Sequence, residues 1–225
     1  MLDCAADHYV VLRTHGELRS VCPCDNSIRL DKNVIGAAAY AGCVDSIDQN
    51  IGKLVAHLKS IDKFDNTVIF FLSDNGACQE GGDFGNGDEA MVKDPPLETT
   101  AGVRIGLHWA GACNTPYRKY KHFTHEGGAC TPMIAHWPKG IAEDDRGTLV
   151  RQRAYLQDFM STVLDLSGGS SPDNIPECEG ESIAPLLAGI RKPVHFDPMY
   201  WEHEGNAAVR MGKWKLVREY ERPWE

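Results

Sequence analysis

Long apolar runs are missing from this 225-residue chain. The longest strongly apolar stretch, residues 68–72, falls far short of the roughly 20 residues needed to span a bilayer, so no segment is expected to cross a membrane. Positive charge is in deficit: 23 Lys and Arg stand against 32 Asp and Glu, a net charge of −9. Such a field repels phosphate backbones and argues against nucleic-acid binding. The eight cysteines are scattered, the one close pair being Cys22-Pro23-Cys24. Without a CxxC…CxxC or CxxC…HxxxH spacing, a structural zinc site is not expected. Met1-Leu2-Asp3-Cys4-Ala5-Ala6-Asp7 has neither the basic nor the apolar region of a signal peptide. Internal repeats are absent too. The balance that remains, 42% hydrophobic and 24% charged, is that of an ordinary globular domain; it excludes collagen, coiled coil and wholesale disorder.

What is present begins at about residue 33; residues 1–32 form an unassigned segment with one short apolar stretch, Tyr9-Val10-Val11-Leu12. From Tyr40 to Leu58 apolar residues recur at three- and four-residue spacings, predicting an amphipathic helix of about five turns. After a short polar connection, Val68-Ile69-Phe70-Phe71-Leu72 reads as a strand buried on both faces, as in a parallel sheet. It ends abruptly at Ser73-Asp74-Asn75-Gly76, and in α/β folds ligands sit at such carboxyl ends. Residues 77–120 are Gly-rich and weakly patterned. Thr131 to Pro138 reads as a second short strand, Ala154 to Leu166 as a helix closed by Gly168-Gly169. Pro198 to Trp201 and Ala207 to Val217 read as antiparallel strands turning at Met211-Gly212-Lys213.

Two clusters carry chemistry. Asp74 and Asn75 put two hard oxygen donors on a strand tip, suited to Ca²⁺ or Mg²⁺; Asn75-Gly76 is equally the commonest hairpin-turn dipeptide, and by itself the turn is the commoner use. Lys121-His122-Phe123-Thr124-His125-Glu126-Gly127-Gly128 places a cation and two proton-transferring rings beside backbone that a ligand can approach, although a solvated, turn-rich segment has the same composition. Asp144-Asp145 reads as an acidic surface loop and Gly81-Gly82-Asp83-Phe84-Gly85 as one imperfect calcium-repeat copy. Glu202-His203-Glu204 reads as solvated, with strand alternation separating the histidine from its flanking carboxylates.

These residues carry a resemblance. Phe64 through Gly76 resembles the metal-ligand strand of arylsulfatases, and Lys121 through Gly128 is similar to their K-x-x-x-x-E-G-G block, followed by Thr131-Pro132 and Trp137-Pro138-Lys139-Gly140. Residues 180–187 and 201–217 resemble the family's C-terminal blocks, all in family order. The resemblance implies an α/β, alkaline-phosphatase-like fold: a partial parallel or mixed sheet flanked by helices, with a small C-terminal antiparallel sheet. It implies residues 33–190 as the downstream part of a catalytic domain and 191–225 as the start of the C-terminal sheet region. It further implies hydrolysis of sulfate esters, Asp74 and Asn75 as Ca²⁺ (or Mg²⁺) ligands, Lys121 on a sulfate oxygen and His125 in substrate binding. The partner would be a sulfated small molecule or carbohydrate, with self-association through exposed sheet edges. A periplasmic or extracellular setting fits the family's longer members.

One departure bears on activity. The family's nucleophile is a Cys or Ser in C/S-x-P-x-R, converted to formylglycine, and that motif is absent. Cys130-Thr131-Pro132-Met133-Ile134 fails at Ile134, and Ser170-Ser171-Pro172-Asp173-Asn174 fails at Asn174. The family's early Asp-Asp pair is missing as well. The expectation is therefore the downstream portion of a sulfatase, not turning over by itself. A non-catalytic sulfate-ester or cation-binding module, and a phosphoesterase of the same superfold, stand as alternatives.

Overall fold

A computed structural model of the chain describes residues 9–12, 18–21, 32–87, 102–171, 176–196 and 198–220. The Cys22–Cys24 pair, Pro172 to Asn174 of the second near-miss motif and the terminal Pro223-Trp224-Glu225 lie outside them. The chain divides into two units: Met1–His57 with Asn75–Cys130, and Leu58–Asp74 with Thr131–Glu225.

The first unit opens with a hairpin of β1 (Tyr9–Leu12) and β2 (Leu18–Val21). Helix α1 (Lys32–Ser60) follows, eight residues longer at its start than the apolar spacing from Tyr40 predicts. The extra turns are Ala- and Gly-rich: they carry no bulky stripe, yet Ile35, Gly36 and Ala38 in them are buried. At Gly36 an added Cβ would lie 2.4 Å from the Arg104 carbonyl oxygen, so the small residues let this end of the helix press on backbone. The stripe the spacing did detect is different. Tyr40, Val44, Ile47 and Leu54 are each about half exposed. Within residues 77–120, where little pattern is legible, the described part contains helix α2 (Gly106–Cys113), and Asn86 and Arg104 form an antiparallel bridge. A four-residue helix, α3 (Glu126–Ala129), completes this unit.

The second unit pairs β3 (Ile69–Leu72) with β4 (Met133–His136) antiparallel, Phe70 opposite Ala135. This corrects the reading of a strand covered on both faces: Phe71 is 47% exposed, and every pairing among the described strands is antiparallel, so the parallel portion of the expected sheet is not among them. An unbroken apolar run reports hydrophobicity on both sides of a strand, not that both are covered.

Helix α4 (Asp158–Ser167) starts four residues later than predicted and ends at left-handed Gly168 as expected. Phe159 of α4 meets Phe70 edge-on at 5.2 Å. Its burial also differs from the prediction, because Met160 and Val163 are exposed whereas Asp158 and Thr162 are fully buried. The Asp158 carboxylate accepts the Tyr155 and Glu181 N–H groups at 2.6 and 2.9 Å and lies 2.7 Å from His195 Nε2. Thr162 Oγ1 donates to the Asp158 carbonyl and accepts from Ile183 N–H at 2.9 Å. A polar helix face is thus buried because each of its groups finds a partner, which makes such burial tolerable. Just after it, α5 (Ala184–Leu187) buries Leu187.

The C-terminal sheet is a meander of β5 (Met199–His203), β6 (Asn206–Met211) and β7 (Trp214–Arg218). Glu204 and Gly205 both have positive φ and make the first turn, as two-residue hairpins require. Glu204 therefore sits in a turn, not on one strand face with Glu202. The acidic Glu143–Asp145 stretch is a single 3-10 turn whose Asp145 pairs with Arg191, a structural use.

Candidate functional site

Asp74 and Asn75 stand two and three residues beyond the end of β3, and the peptide bond between them carries the chain from the second unit into the first. The hairpin-turn reading of Asn75-Gly76 does not hold: neither residue has positive φ, and among the described residues the strand that pairs with β3 is β4, far along the chain. Gly76 is needed for a different reason. Its N–H donates to the Gly128 carbonyl at 3.0 Å, and a Cβ there would lie 1.7 Å from the Gly127 carbonyl oxygen. Backbone lies directly on backbone, an approach glycine alone permits.

That contact brings Asn75-Gly76 and the lysine block together within the first unit. Lys121 N–H donates to the Ala77 carbonyl at 3.0 Å, so the lysine's backbone is fixed two residues past Asn75. Gly127 N–H donates to the Arg118 carbonyl at 2.9 Å, and a Cβ on Gly127 would lie 2.0 Å from the Lys119 carbonyl oxygen. Gly128 is hemmed in the same way by the Phe123 and Tyr120 carbonyls. The Gly-Gly pair is thus the floor on which the lysine loop is folded. Lys119 and His122 adopt positive φ, 68° and 78°, on either side of Lys121; for non-glycine residues that costs on the order of 1 kcal/mol each, sustained by the surrounding contacts.

Lys121 is half-buried, and no carboxylate among the described residues is paired with its ammonium. His125 occupies the N-cap position of α3, half-buried, its ring 6.2 Å from Phe123. Lys119 Nζ lies 4.3 Å over the same Phe123 ring. Thr124 is buried, and its hydroxyl has no hydrogen-bond partner.

The sequence reading missed Asn114. Its Oδ1 accepts the Ala77 N–H and its Nδ2 donates to the Lys119 carbonyl, both at 3.1 Å, so one side chain ties the strand tip to the lysine loop. An asparagine closing a short helix two residues before Pro116 is a C-cap signal, but the loop it would hold is not visible from that signal. Cys130 leaves α3 and Met133 and Ile134 lie in β4, so the nearer nucleophile look-alike is the link between two structural elements.

The donor set at the tip suits a hard cation: a carboxylate and an amide oxygen, with no thiolate. Two side chains supply only part of the roughly six to eight oxygens that Ca²⁺ takes.

Among solved structures, this chain is similar to a Bacteroides thetaiotaomicron protein of a core genetic locus for the metabolism of multiple glycosaminoglycans. The TM-score is 0.55 at 20% identity, over 81% of this chain and 34% of that one. The fold is accordingly alkaline-phosphatase-like, with the small antiparallel sheet at its C-terminal end. The family described as Sulfatase matches residues 22–169, and the chain belongs to that family. An uncharacterized sulfatase of Schizosaccharomyces pombe is 29% identical over 198 residues, 79% of this chain and 34% of that protein. N-acetylgalactosamine-6-sulfatase of Rattus norvegicus is 29% identical over 181 residues, 78% of this chain and 28% of that protein. The chain thus spans about a third of the length of the relatives it matches. Sulfatases are sulfuric ester hydrolases that generally use a metal ion. No helix among the described residues is long and apolar enough to cross a membrane.

Proposed function

We propose that this chain carries the downstream part of a sulfatase site, spread over residues 33–190, and binds a sulfated carbohydrate without hydrolysing it by itself. The observation that carries this reading is the seating of the lysine loop on the strand tip through Gly76, Gly128, Ala77 and Lys121 backbone bonds. Asp74 and Asn75 would hold Ca²⁺, or Mg²⁺ in its place, and such a cation when bound supplies Lewis-acid polarisation of a sulfate oxygen. Lys121 places a cationic donor on another sulfate oxygen, where an ammonium released from carboxylate pairing is worth most. His125 contacts the sugar side of the ester. The name of the rat relative points to a 6-sulfated hexosamine as the substrate class. Turnover by these 225 residues is not expected, because they contain no C/S-x-P-x-R nucleophile.

Calorimetric titration of the chain with Ca²⁺ and with 6-sulfated N-acetylgalactosamine tests this. Asp74→Ala should weaken Ca²⁺ binding by about tenfold or more, and Lys121→Ala should weaken sugar binding similarly. No sulfate should be released. Sugar binding indifferent to both substitutions would sink the assignment, and sulfate release would mean that a nucleophile other than the family's is at work.

A further inference from the structure

Asn114 stands at the end of a helix that is pinned at both ends to one stretch of chain. At the start of α2, Gly106, Leu107 and His108 donate their N–H groups to the carbonyls of Glu80, Gly82 and Asp83 at 3.1, 2.9 and 2.9 Å. A helix N-terminus otherwise leaves such donors without partners. At its end, the Asn114 amide oxygen accepts the Ala77 N–H at 3.1 Å. Residues 77–83, which continue from the strand tip, thus span α2 from its last residue to its first. The Asn114 backbone is fixed as well: its N–H donates to the carbonyl of the fully buried Ala110 at 3.2 Å, and its carbonyl accepts the Tyr117 N–H at 2.8 Å. All of these contacts lie within the first unit.

From this rigid base the same amide reaches the lysine loop, where Nδ2 donates to the Lys119 carbonyl at 3.1 Å. A primary amide offers a donor and an acceptor side by side, which neither a carboxylate nor a methyl group does. An N–H on one partner and a carbonyl on the other also fix which way it points. Lys119 is held there in the left-handed conformation, φ 68°, which a lysine keeps only with such support. Beyond it the chain returns, so that Ala77 gives its N–H to Asn114 and takes the N–H of Lys121 on its carbonyl at 3.0 Å. Asn75 lies two residues before Ala77, and Lys121 two after Lys119. We infer that Asn114 is a positioning residue: it fixes the spacing between Asn75 and Lys121, so that one sulfate group meets both the cation and the ammonium. This rests on the roles proposed above for Asn75 and Lys121 and gives Asn114 itself no contact with the ligand. A loop released from the amide spends part of its time elsewhere, and its apparent affinity falls with the fraction of time it is in place.

Calorimetric titration of the whole chain with Ca²⁺ and with 6-sulfated N-acetylgalactosamine tests this. Asn114→Ala should weaken sugar binding by about tenfold, while Ca²⁺ binding without sugar stays within about twofold, because Gly76 still seats the tip on Gly128. Asn114→Asp keeps the acceptor for Ala77 but turns a carboxylate on the Lys119 carbonyl, and should weaken the sugar at least as much. In a Lys121→Ala chain, Asn114→Ala should weaken sugar binding by less than about a further twofold, since the group it positions is gone. An asparagine with a merely structural role would weaken both ligands together or add its full effect to that of Lys121→Ala, and either result overturns the inference. So does sugar binding that Lys121→Ala weakens and neither Asn114 variant moves, an outcome that leaves the reading of the site standing. Sugar binding indifferent to Lys121→Ala removes that reading and the inference with it. Circular dichroism melts show whether each variant is folded; where Asn114→Ala is not, Asn114→Asp carries the test.

Discussion

The lysine loop and the Asp158 hub are both tightly built, but from different materials. In the loop the contacts are backbone on backbone, with Gly76, Gly127 and Gly128 lying where no Cβ fits. At the hub they are side chain on backbone, with one carboxylate collecting two N–H groups and an imidazole. The loop is thus held by backbone, and under the proposed function Lys121 and His125 are the side chains that face a ligand. The hub uses up every polar group it has in holding segments together. A binding site gains from the first arrangement, a structural joint from the second.

The sharpest way to break that contrast is Gly76→Ala. The new methyl has only backbone to meet, so the loss should reach about 3 kcal/mol or more. Hydrogen exchange should show amides of residues 118–128 losing protection while those of α4 keep theirs; equal loss in both would mean the two regions are not separately built. Asp158→Ala should cost a similar amount, about 3 kcal/mol, because two buried N–H groups and His195 lose their acceptor. Asp158→Asn should cost roughly half of that in chemical denaturation, since one acceptor oxygen survives. Asn114→Ala tests a place where the loop borrows the hub's method. It should cost about 1–2 kcal/mol and expose the Ala77 amide to exchange, while a melt unchanged from wild type would show the tie to be incidental.

The smallest effect is alkaline. Burial, with the Asp158 charge adding to it, holds the Tyr155 phenol above its ordinary value, and the Tyr200 N–H it accepts pulls the other way. The folded value therefore exceeds the unfolded one near 10. Its contribution is present in full below about pH 10 and is lost as pH rises through the folded value. Tyr155→Phe should flatten the fall in melting temperature above pH 10, slightly, because the phenol is only partly buried. An unchanged alkaline slope would assign that fall to other groups.

Much of this was legible beforehand. The glycine-closed helix, the strand tip at Asp74 and the meander with its Gly212 turn announce themselves through caps, apolar runs and turn residues, all local signals. The arylsulfatase-like blocks put Lys121, His125, Asp74 and Asn75 forward as one constellation, and that assignment is the proposal made above. Local signals fail where burial depends on distant partners. The apolar stripe of α1 is half exposed while its small-residue end is buried, and α4 turns Asp158 and Thr162 inward in place of Met160 and Val163. Asn114, which the sequence reading passed over, proved to be a strut.

The sequence alone determined the elements on which the candidate residues stand, because periodicity, capping and motif order are written within a few residues of each other. Tertiary structure decided why Gly76 is glycine, which faces are covered and what holds Lys121 in place. Those are contacts between segments about 40 to 50 positions apart, where the Gly76–Gly128 bond or the Asn114 bridge is set by how backbone meets backbone.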